Sequence, residues 1–148
     1  MNNCLNYLPV AVIINDKVLC VHGGLSPDLK VVKDIEEIQL PTEVGDSGII
    51  TDLLWSSYCP TSCGFHESPR GVSYTYGSDV LETFLLKNHL EVLCNGTKAE
   101  PLSNKTGLSV QGKVISFISA PNYCGEFDNE GVVLLFTPEK SQPSFLPV

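Results

Sequence analysis

Two β-branched runs, VAVII from Val10 to Ile14 and VLCV from Val18 to Val21, are separated only by Asn15, Asp16 and Lys17. Asn and Asp favour tight turns, so the two runs are predicted to fold back on each other as a hairpin. The second run ends in His22, and Gly23, Gly24 and the Pro27 turn follow at once. That layout holds an imidazole at the tip of a rigid strand, beside two positions without side chains where backbone or a bound group can approach closely. Two readings of His22 stand at this point: a structural histidine, or a metal or catalytic ligand, which needs partners from elsewhere in the chain.

With 148 residues, 43% of them hydrophobic, the chain can bury one core of ordinary size, and residues 1–148 are read as a single domain. The 17 acidic residues against 9 basic ones give a formal charge of -8, a field that repels a phosphate backbone and argues against nucleic acid as a partner. No basic N-terminal region leads into an apolar core, and no apolar run reaches the roughly 18 residues that span a bilayer, so no membrane partner is expected. The chain is read as intracellular, cytoplasmic or nuclear. Cys20 and Cys94 lie inside apolar runs, where a free thiol behaves as a small buried hydrophobe, and reduced thiols are expected.

Further along, Asp28 to Ile38 spaces Leu29, Val32, Ile35 and Ile38 at helical intervals, and Pro41 stops anything longer. From Pro41 to Gly71 the chain is rich in Gly, Ser, Pro and Thr around one apolar patch, GIITDLLW, which reads as an irregular segment over a core. Gly77 to His89 places Val80, Phe84 and Leu85 on one helical face with Leu81 beside them, and offers Ser78 and Asp79 as caps. Strands are predicted at Leu90 to Cys94, Lys113 to Ile118 and Gly131 to Phe136. Asn95 to Gly112 reads as a loop or weak hairpin, and the three prolines of the tail (residues 137–148) confine it to an edge strand or an unpaired tail.

Several side chains are candidates for chemistry. Arg70 sits between Pro69 and Gly71, a stiff turn from which a guanidinium fork can hold two phosphate oxygens; the plainer reading is a surface pair with Glu67 or Asp79. Ser119 to Gly131 follows a predicted strand and packs turn formers, Tyr123, Cys124 and acids into a compact loop of the kind that rims sites, or that merely connects. Asp128 and Glu130 within it are read as solvated charge. Cys59, Cys63 and His66 form a Cys-x3-Cys-x2-His cluster of zinc-type donors with irregular spacing and no fourth ligand. Trp55, the only tryptophan, is either a buried residue or part of a binding groove.

LPVAVIINDKVLCVHGGLSPDL, DLLWS, RGVSYTYG and SAPNYCGEFDN follow one another in this order. Together they resemble the C-terminal half of the metal-dependent serine/threonine phosphoprotein phosphatases, the superfamily of the type 1, type 2A and calcineurin enzymes. YCGEFDN is most similar to type 1 and SPRG is nearer to type 2A, and the resemblance runs from about Leu5 to Phe136. It implies an α/β (α+β) fold, a partial β-sandwich of the calcineurin-like metallophosphoesterase type flanked by helices. It also implies two divalent metal ions of the manganese, iron or zinc type, whose bridging hydroxide attacks a phosphoserine or phosphothreonine. By motif, His22 matches a metal-ligand histidine, Arg70 a phosphate clamp and Trp55 a groove residue, while Tyr123 and Cys124 match the loop where inhibitors contact these enzymes. Phosphoproteins and phosphatase regulatory proteins are the partners implied.

The departures weigh against activity. The family's motifs GDxHG, GDxxDRG and GNHE are absent, and the only Gly-Asp pair, Gly45-Asp46, continues with Ser and Gly. Where the family has Arg-Ala-His-Gln, this chain has Asn95-Gly96-Thr97-Lys98, so that Thr97 stands where a second ligand histidine belongs. One imidazole cannot offset the dehydration of two divalent ions. The chain is therefore expected to be truncated and inactive alone, a pseudophosphatase by composition. The alternatives are half of an active phosphatase completed by another chain, and an interaction module with structural zinc at Cys59, Cys63 and His66.

Overall fold

The structure, a computed structural model, describes residues 2–96, 107–138 and 140–147. After a short helix α1 (Asn2–Leu5), β1 (Ala11–Ile14) and β2 (Val18–Val21) form the expected antiparallel hairpin, with Ile14 opposite Val18. Asn15 and Asp16 both have positive φ, 52° and 53°, and Lys17 N–H closes the turn on Ile14 O at 3.1 Å. Two left-handed residues thus turn the chain within a three-residue loop, a conformation that Asn and Asp tolerate best after Gly.

The long segment between β2 and the next strand of the sheet holds α2 (Lys33–Glu36), α3 (Ile49–Trp55), β3 (Ser57–Tyr58), β4 (Phe65–Glu67), β5 (Tyr74–Tyr76) and α4 (Ser78–Lys87). The helix predicted over residues 28–38 shrinks to α2 for a local reason. The Asp34 carboxylate accepts the backbone N–H groups of Lys30 and Val31 at 2.7 and 2.8 Å, and Ser26 Oγ accepts that of Asp28, giving the backbone a non-helical alternative. The apolar patch read as irregular is instead the helix α3, and β3, β5 and β4 form a small sheet in that order. α4 matches its prediction, with Leu81, Phe84 and Leu85 buried. Its cap is Gly77 rather than Ser78 or Asp79, and it ends in a Schellman motif: His89 lies at φ 56°, His89 N–H bonds Leu86 O and Leu90 N–H bonds Leu85 O. That closure consumes Leu90, so the following strand, β6, runs Val92–Asn95.

β7 (Leu108–Gln111) and β8 (Val114–Phe117) form a hairpin about Gly112 and Lys113, so the described end of the segment read as a loop or weak hairpin is a hairpin strand. A 3-10 turn (Tyr123–Gly125) precedes β9 (Val132–Thr137), and β10 (Lys140–Pro147) pairs with β9 alone. The main sheet has the order β1-β2-β6-β8-β7, with β2, β6 and β8 mutually parallel and the outer strands antiparallel.

Alternation along the strands gives that sheet two buried faces. Leu19, Val21 and Leu93 face Leu53 of α3 and Leu81, Phe84 and Leu85 of α4. Val18, Val92, Cys94 and Ile115 face the other way, with Leu134 and Phe136 of β9 packed on them. A sheet with helices on one face and a strand pair on the other is the partial sandwich expected. Its outer surfaces keep apolar side chains exposed, among them Val12 and Ile13 on β1 and Val133 and Leu135 on β9.

Leu85 is fully buried at the centre of the helix face. Leu85→Ala is expected to cost about 2–5 kcal/mol, read as a lower urea midpoint with an unchanged m-value; a cost below about 1 kcal/mol would mean that α4 does not pack as described.

Candidate functional site

Parallel pairing fixes where a site can form. β2, β6 and β8 run in one direction with Val21, Asn95 and Ser116 in one row, so their C-terminal ends share an edge, the place where ligands bind in open sheets of this kind. His22 follows β2, Gly96 follows β6, and the Ser119–Gly131 loop lies beyond β8. Gly96 N–H donates to His22 O at 3.1 Å, and a side chain at Gly96 would begin 3.2 Å from His22 Nδ1. The exposed imidazole thus lies over the end of β6. Thr97, where a second ligand was sought, is outside the described residues.

The paired glycines serve packing more than ligand access. Gly23 N–H bonds Leu53 O at 2.6 Å, and a Cβ on Gly23 would meet the α3 backbone at Leu54 and Trp55 at 2.7 Å. A Cβ on Gly24 would collide with the ring of Tyr76, itself fully buried. Backbone approaches His22's neighbours, as the sequence suggested, but that backbone is α3.

A residue that sequence reasoning missed ties this corner together. Asp52 of α3 is 2% exposed; its Oδ2 accepts from Ser26 Oγ at 2.6 Å and its Oδ1 from Ser73 Oγ at 2.7 Å. One carboxylate thereby anchors both the loop after His22 and the β4–β5 turn that carries Arg70. The only signal was an acid inside the apolar run IITDLLW, since Asp is almost never fully buried without partners.

Arg70 is exposed on that turn, which is held by Gly71 N–H to Ser68 O and by Arg70 N–H to Ser68 Oγ. Among the described residues no ion pair joins it to Glu67 or Asp79. Beneath the turn lies a polar cleft of about 280 Å³ lined by Asp52, Glu67, Ser68 and Ser73. His22 lines a different hollow, an apolar groove of about 430 Å³ shared with Leu8, Val12, Cys20 and Leu54. Trp55 closes α3 with 46% of its surface exposed, which removes the buried reading.

Tyr123 is half-exposed, with its ring 6.4 Å from that of Phe127, and Cys124 is exposed at φ 59°. Buried Asn129, also unforeseen, shapes this loop. Its Oδ1 accepts from Tyr123 N–H at 2.9 Å, and its Nδ2 donates to the carbonyls of Ala120 and Glu130. Asp128 and Glu130 are exposed, as solvated charges are.

Cys59, Cys63 and His66 do not converge. Cys59 Sγ pairs with Thr61 Oγ1, His66 Nε2 bonds Cys63 O, and the Cys63 thiol donates to Asp79. Hydrogen bonds from Ser62 and Thr61 hold the Cys59 thiol below its ordinary range, and the Asp79 carboxylate pushes Cys63 up. Among the described residues no group of three or more His, Cys, Asp or Glu is gathered to hold a metal ion, at this cluster or around His22.

Asp79 is held below the usual carboxylate range, first by the Gly64 N–H and then by the Cys63 thiol. Its stabilisation is therefore complete above about pH 4 and is lost as pH falls through the depressed value. Asp79→Asn is expected to lower the melting temperature near neutral pH, with the gap to the parent closing as melts are run at progressively lower pH; a gap that stays constant down to pH ~2 would rule out this bonding. Gly23→Ala is expected to cost at least about 1–3 kcal/mol by overpacking against α3, whereas Gly45→Ala, whose Cβ would meet nothing closer than Ser47 O at 3.7 Å, should stay within about 0.5 kcal/mol of the parent. Equal costs in urea melts would contradict the α3 contact.

The sequence model of the calcineurin-like phosphoesterase family matches residues 1–96. Among solved structures, a protein serine/threonine phosphatase from Saccharomyces cerevisiae, described as similar to human phosphatase PP5, superposes with a TM-score of 0.83 at 25% sequence identity. The match covers 98% of this chain and 48% of that one, so this chain spans about half the length of its yeast relative.

Proposed function

Because the chain belongs to the calcineurin-like phosphoesterase family, we propose that it is the C-terminal portion of a serine/threonine phosphoprotein phosphatase domain and that these 148 residues are catalytically silent by themselves. The observation that carries this is the lone imidazole at the shared strand edge, with no second ligand gathered beside it among the described residues.

Family members use divalent metals, and the donor set described here does not fit a dinuclear centre. Two cations in one site need several anionic or imidazole ligands, and His22 supplies one. What the chain does bring is positioning. Arg70 offers a guanidinium fork for phosphoryl oxygens from a turn that Asp52 anchors through Ser73. Trp55 and the Tyr123–Cys124 turn are exposed surfaces for a phosphoprotein or a regulatory protein.

A second reading, completion by another chain that supplies the missing ligands, is favoured by the exposed apolar residues Leu5, Leu8 and Val12 around the groove beside His22. The test is phosphate release from a phosphopeptide by the purified chain in Mn2+. Release at the protein-free rate, in the parent and in Arg70→Ala alike, is expected. Metal-dependent turnover that Arg70→Ala abolishes would overturn the silent reading.

A further inference from the structure

The main sheet carries an unassigned pair of thiols. Cys20 of β2 and Cys94 of β6 are register partners on neighbouring parallel strands, and both lie on the face packed against β9. Partnered strands stand about 4.8 Å apart, inside the roughly 4.4–6.8 Å between Cα atoms that a disulfide spans. Both side chains point to the same face of the sheet, and both are free thiols. The two differ in access: Cys94 is buried, whereas Cys20 is only partly buried and lines the open groove beside His22.

We propose that Cys20 and Cys94 form a redox site, in which Cys20 meets a small peroxide in the groove and Cys94 resolves it to an intramolecular disulfide. In the first step the Cys20 sulfur attacks hydrogen peroxide: an S–O bond forms, the O–O bond breaks, and the departing hydroxide takes the thiol proton as water. The sulfur is oxidised to a sulfenic acid and the peroxide is reduced. In the second step the Cys94 sulfur attacks the sulfenic sulfur, an S–S bond replaces the S–O bond, and the hydroxyl leaves with the Cys94 proton as a second water. The bridge ties β2 to β6 two residues before His22 and one before Asn95, so the oxidant acts at the base of the candidate site.

The test treats the native chain with hydrogen peroxide, blocks remaining thiols with iodoacetamide and maps the peptides by mass spectrometry. The expected product is a single cross-link between the Cys20 and Cys94 peptides, two hydrogens lighter than the reduced pair and reversed by dithiothreitol, with Cys59, Cys63 and Cys124 still alkylated. Cys94→Ala should leave a sulfenic acid on Cys20 that dimedone traps, and Cys20→Ala should leave Cys94 unoxidised. Cross-links scattered among the cysteines of the parent, or Cys20 and Cys94 both still alkylated after treatment, would overturn the proposal without reference to either variant.

Discussion

Parallel pairing of β2, β6 and β8 is the constraint on which the rest of the structure depends. Strands that run the same way cannot be joined by a tight turn, so the chain must leave the sheet and return. The return from β2 to β6 contains α3, the small β3-β5-β4 sheet and α4, and these elements cover one sheet face. β9 covers part of the other. The same pairing delivers His22, Gly96 and the loop after β8 to one edge, so the candidate site and the core come from a single topological choice.

Asp52 extends that order from the sheet into the loops. A buried carboxylate is tolerated only where its oxygens are bonded, and here two serine hydroxyls from distant parts of the chain supply the bonds. Removing either serine would leave the carboxylate undersatisfied, so the His22 loop and the Arg70 turn are held as one unit. Asn129 does the equivalent work for the Tyr123–Cys124 turn by bonding three backbone groups.

Much of this was legible in the residues. The Asn-Asp turn marks the first hairpin, and the spacing of Val80, Phe84 and Leu85, with Leu81 beside them, marks α4, because both signals are local. α3 was missed because its seven residues give fewer than two full periods between Gly- and Ser-rich flanks, too short for the pattern to declare itself. The helix over residues 28–38 was drawn too long because its spacing is helical while Asp34 diverts the backbone donors at its start. β7 is marked only weakly, as one of two readings of its segment, because it is short and polar. Motifs single out His22 and Arg70 as candidates, whereas Asp52 and Asn129 depend on partners that only the fold brings near.

Among the described residues His22 is a lone imidazole at the shared strand edge, a deficit of donors for the dinuclear centre that the proposed function would need. Equilibrium dialysis of the purified chain against Mn2+, beside His22→Ala, measures that deficit directly. Weak binding of less than one ion per chain, lost in His22→Ala, is the expected result. Two tightly held ions per chain would contradict it.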